Sequence, residues 1–163
     1  MTLSSVVYQV MDNTLIFVLF NKQYDVRMEK DAGYGRSDII AHPLHSLNSL
    51  AYIFEIKTVS SHSRRNGKQS LKTAERIQNE LEQAKTGALK QIDDRGYRQG
   101  VPLHERTVHE YAVVFCGKSC AAAVRTFERK TMKDKWELMA ISDCMVTATD
   151  SSEEYDMDED ACQ

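Results

Sequence analysis

The sequence predicts an α/β protein, a mixed β-sheet with helices packed against it. Two observations carry that reading. Short runs rich in β-branched and aromatic residues, "SDIIAHP", "AYIFEIKTV" and "VHEYAVVFCG", have the length and composition of strands. Between the second and third of them, Leu71, Ala74, Ile77, Leu81, Ala84, Ala88 and Ile92 recur in steps of three and four, the period of one helix face.

The elements follow in order. Residues 3 to 15 carry apolar side chains on most faces and predict a helix laid on the sheet, and 16 to 20, "IFVLF", predict extended chain. "QYDVRMEKDA", 23 to 32, predicts an exposed strand running into the turn at Gly33 and Gly35. "SDIIAHP" is a strand that Pro43 stops, because proline has no N–H to give a ladder. After the loop "HSLNSL", "AYIFEIKTV" is a strong strand, and "SSHSRRNGKQ", 60 to 69, is expected to be a polar, basic loop. The amphipathic helix runs to about Asp94; Gly96 and Gly100 end it, and Pro102 prevents a restart. "VHEYAVVFCG" and "SCAAAVRTFERK" predict a hairpin across Gly117–Lys118, and "KWELMAI", 135 to 141, an edge strand. The order is α, β, β, β, α, β, β, with no internal repeat.

Composition sets the class. At 163 residues, 42% hydrophobic and 28% charged, the chain fits one domain over residues 1–149 and a flexible end. The formal net charge is −3, yet seven of the acids fall from Asp150 onward in a stretch with no Lys or Arg. That tail, 150–163, cannot bury enough surface to fold and is expected to be disordered. The remaining body holds 21 basic against 17 acidic residues, a balance compatible with a nucleic-acid surface. No apolar run reaches the roughly 20 residues needed to cross a bilayer. The apolar N-terminal run is broken by Asp12 and Asn13 and has no basic region ahead of it, so it is not read as a signal peptide. An intracellular chain, cytoplasmic or nuclear and without membrane contact, is the expectation. Cys116, Cys120, Cys144 and Cys162 form no CxxC and lie at no zinc spacing, so reduced, mostly buried thiols are expected. The five histidines are scattered, and only His42 lies close to a candidate acid.

The chemistry-bearing group is in the neighbouring strands "SDIIAHP" and "AYIFEIKTV". Strand side chains alternate, so Glu55 and Lys57 project to one side with Cα atoms about 6 to 7 Å apart, and a hairpin would bring Asp38 beside Glu55. Charges stripped of water cost several kcal/mol unless a partner or a metal compensates. A solvent-facing strand is one explanation of an E-x-K, since one antiparallel face often faces water. A divalent cation is the other: Mg²⁺ takes one or two carboxylates, waters and substrate phosphate. Asp38 and Glu55 would supply carboxylates and the Ile56 carbonyl a third ligand, with Lys57 orienting a water or offsetting phosphoryl charge. Ala84, Ala88 and Gln91 share a helix stripe, so small residues let the helix approach the sheet and the Gln91 amide can reach this site.

Four blocks in this order, "YDVRMEKDAGYGRSDII", "YIFEIKTV", "AKTGALKQIDDRGY" and "EYAVVFCGK", resemble the PD-(D/E)XK nuclease superfamily over residues 24 to 118. The nearest likeness is to the nuclease-like domain often found behind an AAA-type ATPase module, with a G-x-G-R-x-D turn at Gly33, Gly35, Arg36 and Asp38. Its E-F-K-like strand falls at Glu55, Ile56 and Lys57, and its A-x-x-Q-I helix end at Ala88, Gln91 and Ile92, followed by Tyr97. The resemblance implies a restriction-endonuclease-like three-layer fold with an αβββαβ core. It also implies Mg²⁺- or Mn²⁺-dependent hydrolysis of phosphodiester bonds, usually in DNA. Asp38, Glu55 and Ile56 are then metal ligands, Lys57 the catalytic lysine, and Gln91 and Tyr97 members of the site. Many members carry a glutamate on the first helix; residues 3 to 15 contain none, and Asp12 is a shorter substitute.

A nuclease must hold a polyanion, and Arg36, Arg64, Arg65, Lys68 and Lys72 are the expected phosphate contacts. Self-association as a homodimer stays open. The rival reading is an inactive descendant that keeps the fold as a binding module for nucleic acid or protein.

Overall fold

The structure, a computed structural model, describes residues 23–32, 35–44, 50–65, 68–131 and 133–146. In chain order the strands are β1 (Tyr24–Ala32), β2 (Gly35–Pro43), β3 (Leu50–Thr58), β4 (His62–Arg65) and β5 (Lys68–Leu71). Helix α1 (Ala74–Arg95) and a one-turn 3-10 helix (Tyr97–Gly100) follow, then β6 (Thr107–Cys116), β7 (Ser119–Glu128) and β8 (Glu137–Val146). Six strands make one sheet in the order β1-β2-β3-β6-β7-β8, and β4 pairs with β5 alone. Every pairing in the large sheet is antiparallel except β3 with β6, which run parallel. The connection between those two therefore has to cross back over the sheet, and α1 makes that return.

Period-two burial sets the face on which α1 lies. Along β6 every second residue is buried, Val108, Glu110, Ala112, Val114 and Cys116, and β3 buries Ala51, Ile53 and Glu55 on the same side. Helix α1 meets that face with Leu81, Lys85, Ala88 and Ile92. Thr73 starts the helix, its hydroxyl accepting from the Arg76 N–H at 3.3 Å, and Gly96 stops it in the left-handed region at φ 61°. Ile40, Ala51, Ile53, Ile92, Tyr97, Val101 and Val108 form one core cluster, and Leu81, Val114, Cys116 and Ala121 a second. The opposite face is aromatic, with Phe54 stacked on Tyr111 at 4.8 Å and Tyr52 5.3 Å from Tyr24.

Most expected strands stand where the periodicity put them, and β8 runs farther than 135 to 141, to Val146. One expectation is corrected: the basic stretch 60 to 69 is not a loop, since β4 and β5 pair antiparallel from His62 with Leu71 to Arg65 with Lys68. Cysteine burial is mixed, with Cys116 buried, Cys120 half-buried and Cys144 exposed, and all three are free thiols. The helix expected at 3 to 15, the strand at 16 to 20, Cys162 and the tail 150–163 lie outside the described residues. Among the described residues no helix is long and apolar enough to cross a membrane.

Candidate active site

Asp38 and Glu55 approach each other where two strands part. The β2–β3 ladder holds from Ile39 with Phe54 to Ala41 with Tyr52. One rung further Asp38 would face Glu55, but a side chain takes over from the ladder: Asp38 Oδ2 accepts the Ile56 N–H at 2.7 Å. Asp38 is thereby fixed by the backbone of the strand that carries Glu55 and Lys57. All three acid and base groups share the α1 side of the sheet with Ile40 and Ile53.

Glu55 is fully buried, and the Lys57 ammonium donates to its Oε1 from a side chain 36% exposed. Glu55 Oε2 is buried and has no hydrogen-bond partner among the described residues. Burial pushes the Glu55 carboxyl above the usual range; the Lys57 hydrogen bond opposes this and the Asp38 charge adds to it.

Gln91 and Tyr97 complete the group. Tyr97 is fully buried directly after the helix-stopping Gly96, and Gln91 Nε2 donates to its hydroxyl at 3.1 Å. Burial pushes the phenol above its ordinary value, the Gln91 bond pulls it back, and the charges of Glu55 and Asp38 push it further. Tyr97 also lowers the Glu55 carboxyl, the smallest of the influences on it. Sequence-expected Asp38, Glu55, Lys57, Gln91 and Tyr97 thus lie together.

Arg36 pairs with Asp31 in the β1–β2 ladder, and Arg64 with Gln69 and Arg65 with Lys68 in the β4–β5 hairpin. That hairpin leaves from the Lys57 end of β3. Its root is tied down by Lys72, whose side chain is 8% exposed and donates to the Ser60 carbonyl at 2.7 Å and to Glu80. Lys72 therefore spends its ammonium inside the protein.

Sequence reasoning missed two buried clusters. Glu110 of β6 is clasped by Arg98 and Arg125, with Asp93 beside them. The period-two argument applied to β3 would have found Glu110 in β6 as well, between Val108 and Ala112. His42, two positions past Ile40 on the Asp38 face, sits 3.2 Å from the fully buried Glu105.

The donor set fits a hard cation. An orphaned, buried carboxylate oxygen beside a second carboxylate is a polar cost that a divalent ion removes. Among the described residues no group of three or more His, Cys, Asp or Glu side chains could by itself hold a metal ion.

Comparison with curated proteins finds no match, and comparison with solved structures finds none either. The sequence profile of the PD-(D/E)XK nuclease superfamily matches residues 9–125, well over half the chain and a span holding all five gathered residues. The mixed six-stranded sheet under α1 is the α/β architecture of the restriction-endonuclease-like fold. With profile and fold in agreement, the chain belongs to the PD-(D/E)XK nuclease superfamily.

Proposed function

We propose that the protein is a divalent-metal-dependent nuclease that hydrolyses phosphodiester bonds in DNA. The observation carrying this is the orphaned Glu55 Oε2, held buried next to Asp38 with an ammonium group alongside. Asp38, Glu55 and the Ile56 carbonyl would hold Mg²⁺ or Mn²⁺, which when bound supplies a Lewis acid and lowers the pKa of a water.

The chain's own groups do the rest. Asp38 is pre-set by the Ile56 N–H, so little ordering remains on binding. Lys57, one-third exposed, can turn from Glu55 Oε1 toward a water or a phosphoryl oxygen and offset the negative charge that grows there. Gln91 and Tyr97 present an amide and a hydroxyl that hold a phosphate oxygen or orient the attacking water. Arg36 and the hairpin residues Arg64, Arg65 and Lys68 would track the DNA backbone, with Lys72 contributing chiefly by anchoring the hairpin.

Cleavage of plasmid, linear and single-stranded DNA and of RNA with Mg²⁺ or Mn²⁺ tests this. Wild type should cut DNA, and Asp38→Ala and Lys57→Ala should not. Activity that survives both substitutions would reject the assignment of the site.

A further inference from the structure

Glu110 is buried as completely as Glu55, on the adjoining parallel strand and two residues out of register with it: Ile53 is the register partner of Glu110, and Ala112 that of Glu55. Both its oxygens are taken. Oε1 accepts from Arg98 Nη1, and Oε2 from Arg125 Nη2 at 2.7 Å and Nε at 3.1 Å. The same two arginines share Asp93 of α1, Arg98 through Nη2 at 2.8 Å and Arg125 through Nη1 at 2.7 Å and Nη2 at 3.1 Å. Two acids and two bases close a ring without net charge. Arg125 also donates to the Leu89 carbonyl at 3.2 Å, and the Arg98 guanidinium lies 3.9 Å over the Phe127 ring.

The ring's location gives it a second consequence. Arg98 is the second residue of the one-turn helix whose first residue is Tyr97. A single 3-10 turn has poor hydrogen-bond geometry and little cooperativity of its own. This one has no side-chain cap at its start, and Gln99 N–H to Gly96 O at 2.9 Å and Val101 N–H to Arg98 O at 3.2 Å tie its ends to the flanking chain. Its neighbouring side chains are anchored in different places, Tyr97 against Gln91 and Arg98 in the ring.

We propose that Glu110 is a positioning residue: through Arg98, with Arg125 and Asp93, it fixes the turn that keeps the Tyr97 hydroxyl against Gln91. The catalytic consequence rests on the nuclease reading; the structural one does not. Neutralising Glu110 leaves two guanidinium groups sharing one carboxylate in a buried place. Strands β6 and β7 are held by their ladder and α1 by its own bonds, so the short turn is the part that yields. Arg98, 19% exposed, swings toward water and takes Tyr97 with it.

Amide hydrogen exchange on the full chain tests the structural claim. In Glu110→Gln, exchange at Gln99 and Val101 rises about tenfold or more beyond the rise at Ile53 in β3, which follows the loss of global stability. Asp93→Asn, at a side chain 42% exposed, is the milder variant and gives the same pattern where Glu110→Gln does not fold. Unchanged exchange at Gln99 and Val101, or an equal rise at Ile53, overturns the proposal. A double-mutant cycle tests the catalytic claim: Glu110→Gln added to Tyr97→Phe lowers Mg²⁺-dependent kcat by less than about twofold beyond Tyr97→Phe alone. Losses that multiply overturn it. A wild-type chain that cuts nothing removes the nuclease reading, and the exchange result then decides the positioning claim alone.

Discussion

Glu55 and Glu110 sit on adjacent strands, both fully buried, both with carboxyls pushed up first by burial, yet they are treated in opposite ways. Each oxygen of Glu110 has an arginine, whereas Glu55 has one lysine and one orphaned oxygen. A fully paired buried charge ties elements together; a half-paired one is stable only if something else arrives. On the proposed reading, the same residue type, one strand over, is structural in one place and open to a ligand in the other.

The largest expected effect breaks the Glu55 side of this comparison. Asp38→Ala, Glu55→Gln and Lys57→Ala should each lower DNA cleavage by about 10²- to 10³-fold or more, measured as initial rates with Mg²⁺.

The next sharpens the contrast through stability, where the two glutamates should move in opposite directions. Glu110→Gln orphans buried guanidinium groups and should cost about 3 to 5 kcal/mol in urea unfolding. Glu55→Gln removes a buried charge that burial disfavours and should raise stability at neutral pH while abolishing cleavage.

The pH dependence follows from the same shifts. A carboxyl raised by burial contributes stability below the ordinary carboxylate range, lost as pH climbs through its raised value. Stability of the wild type should therefore decline over that window, and less steeply in Glu55→Gln. Asp93 behaves inversely: burial pushes it up, but its bonds to Arg125 and Arg98 outweigh this and hold it low. Its contribution is present above the ordinary range and disappears as pH falls through the lowered value. Asp93→Asn should cost about 1 kcal/mol at neutral pH, as befits a pair 42% exposed on the acid side.

The smallest effects are at the hairpin. Replacing Arg64, Arg65 or Lys68 with Gln should each reduce the salt slope of DNA affinity by about 0.9. Lys72→Gln should leave that slope nearly unchanged and lower thermal stability instead, because its ammonium is bound to Ser60 and Glu80.

These contrasts also mark what the sequence could reveal. Asp38, Glu55 and Lys57 were legible because the strand period is two, and that fixes which side chains share a face. Gln91 was legible from its helix stripe, and Tyr97 from the family resemblance. The hairpin was missed because the polar composition of "SSHSRRNGKQ" outweighed its Asn66–Gly67 signal, a strong two-residue turn marker. The Glu110 ring was missed for a different reason: three of its four pairs lie 12, 15 and 32 residues apart in sequence, and only the fold brings them together. The hold of Asp38 on the Ile56 N–H was likewise invisible, since the strands had to part for that bond to form.

Mn²⁺ titration by isothermal calorimetry, on wild type and on Asp38→Ala and Glu55→Gln, tests the central claim most directly. The account predicts saturable binding to wild type that either substitution abolishes, with both variants still folded by circular dichroism. Equal Mn²⁺ binding in all three proteins, or none in wild type, would contradict it.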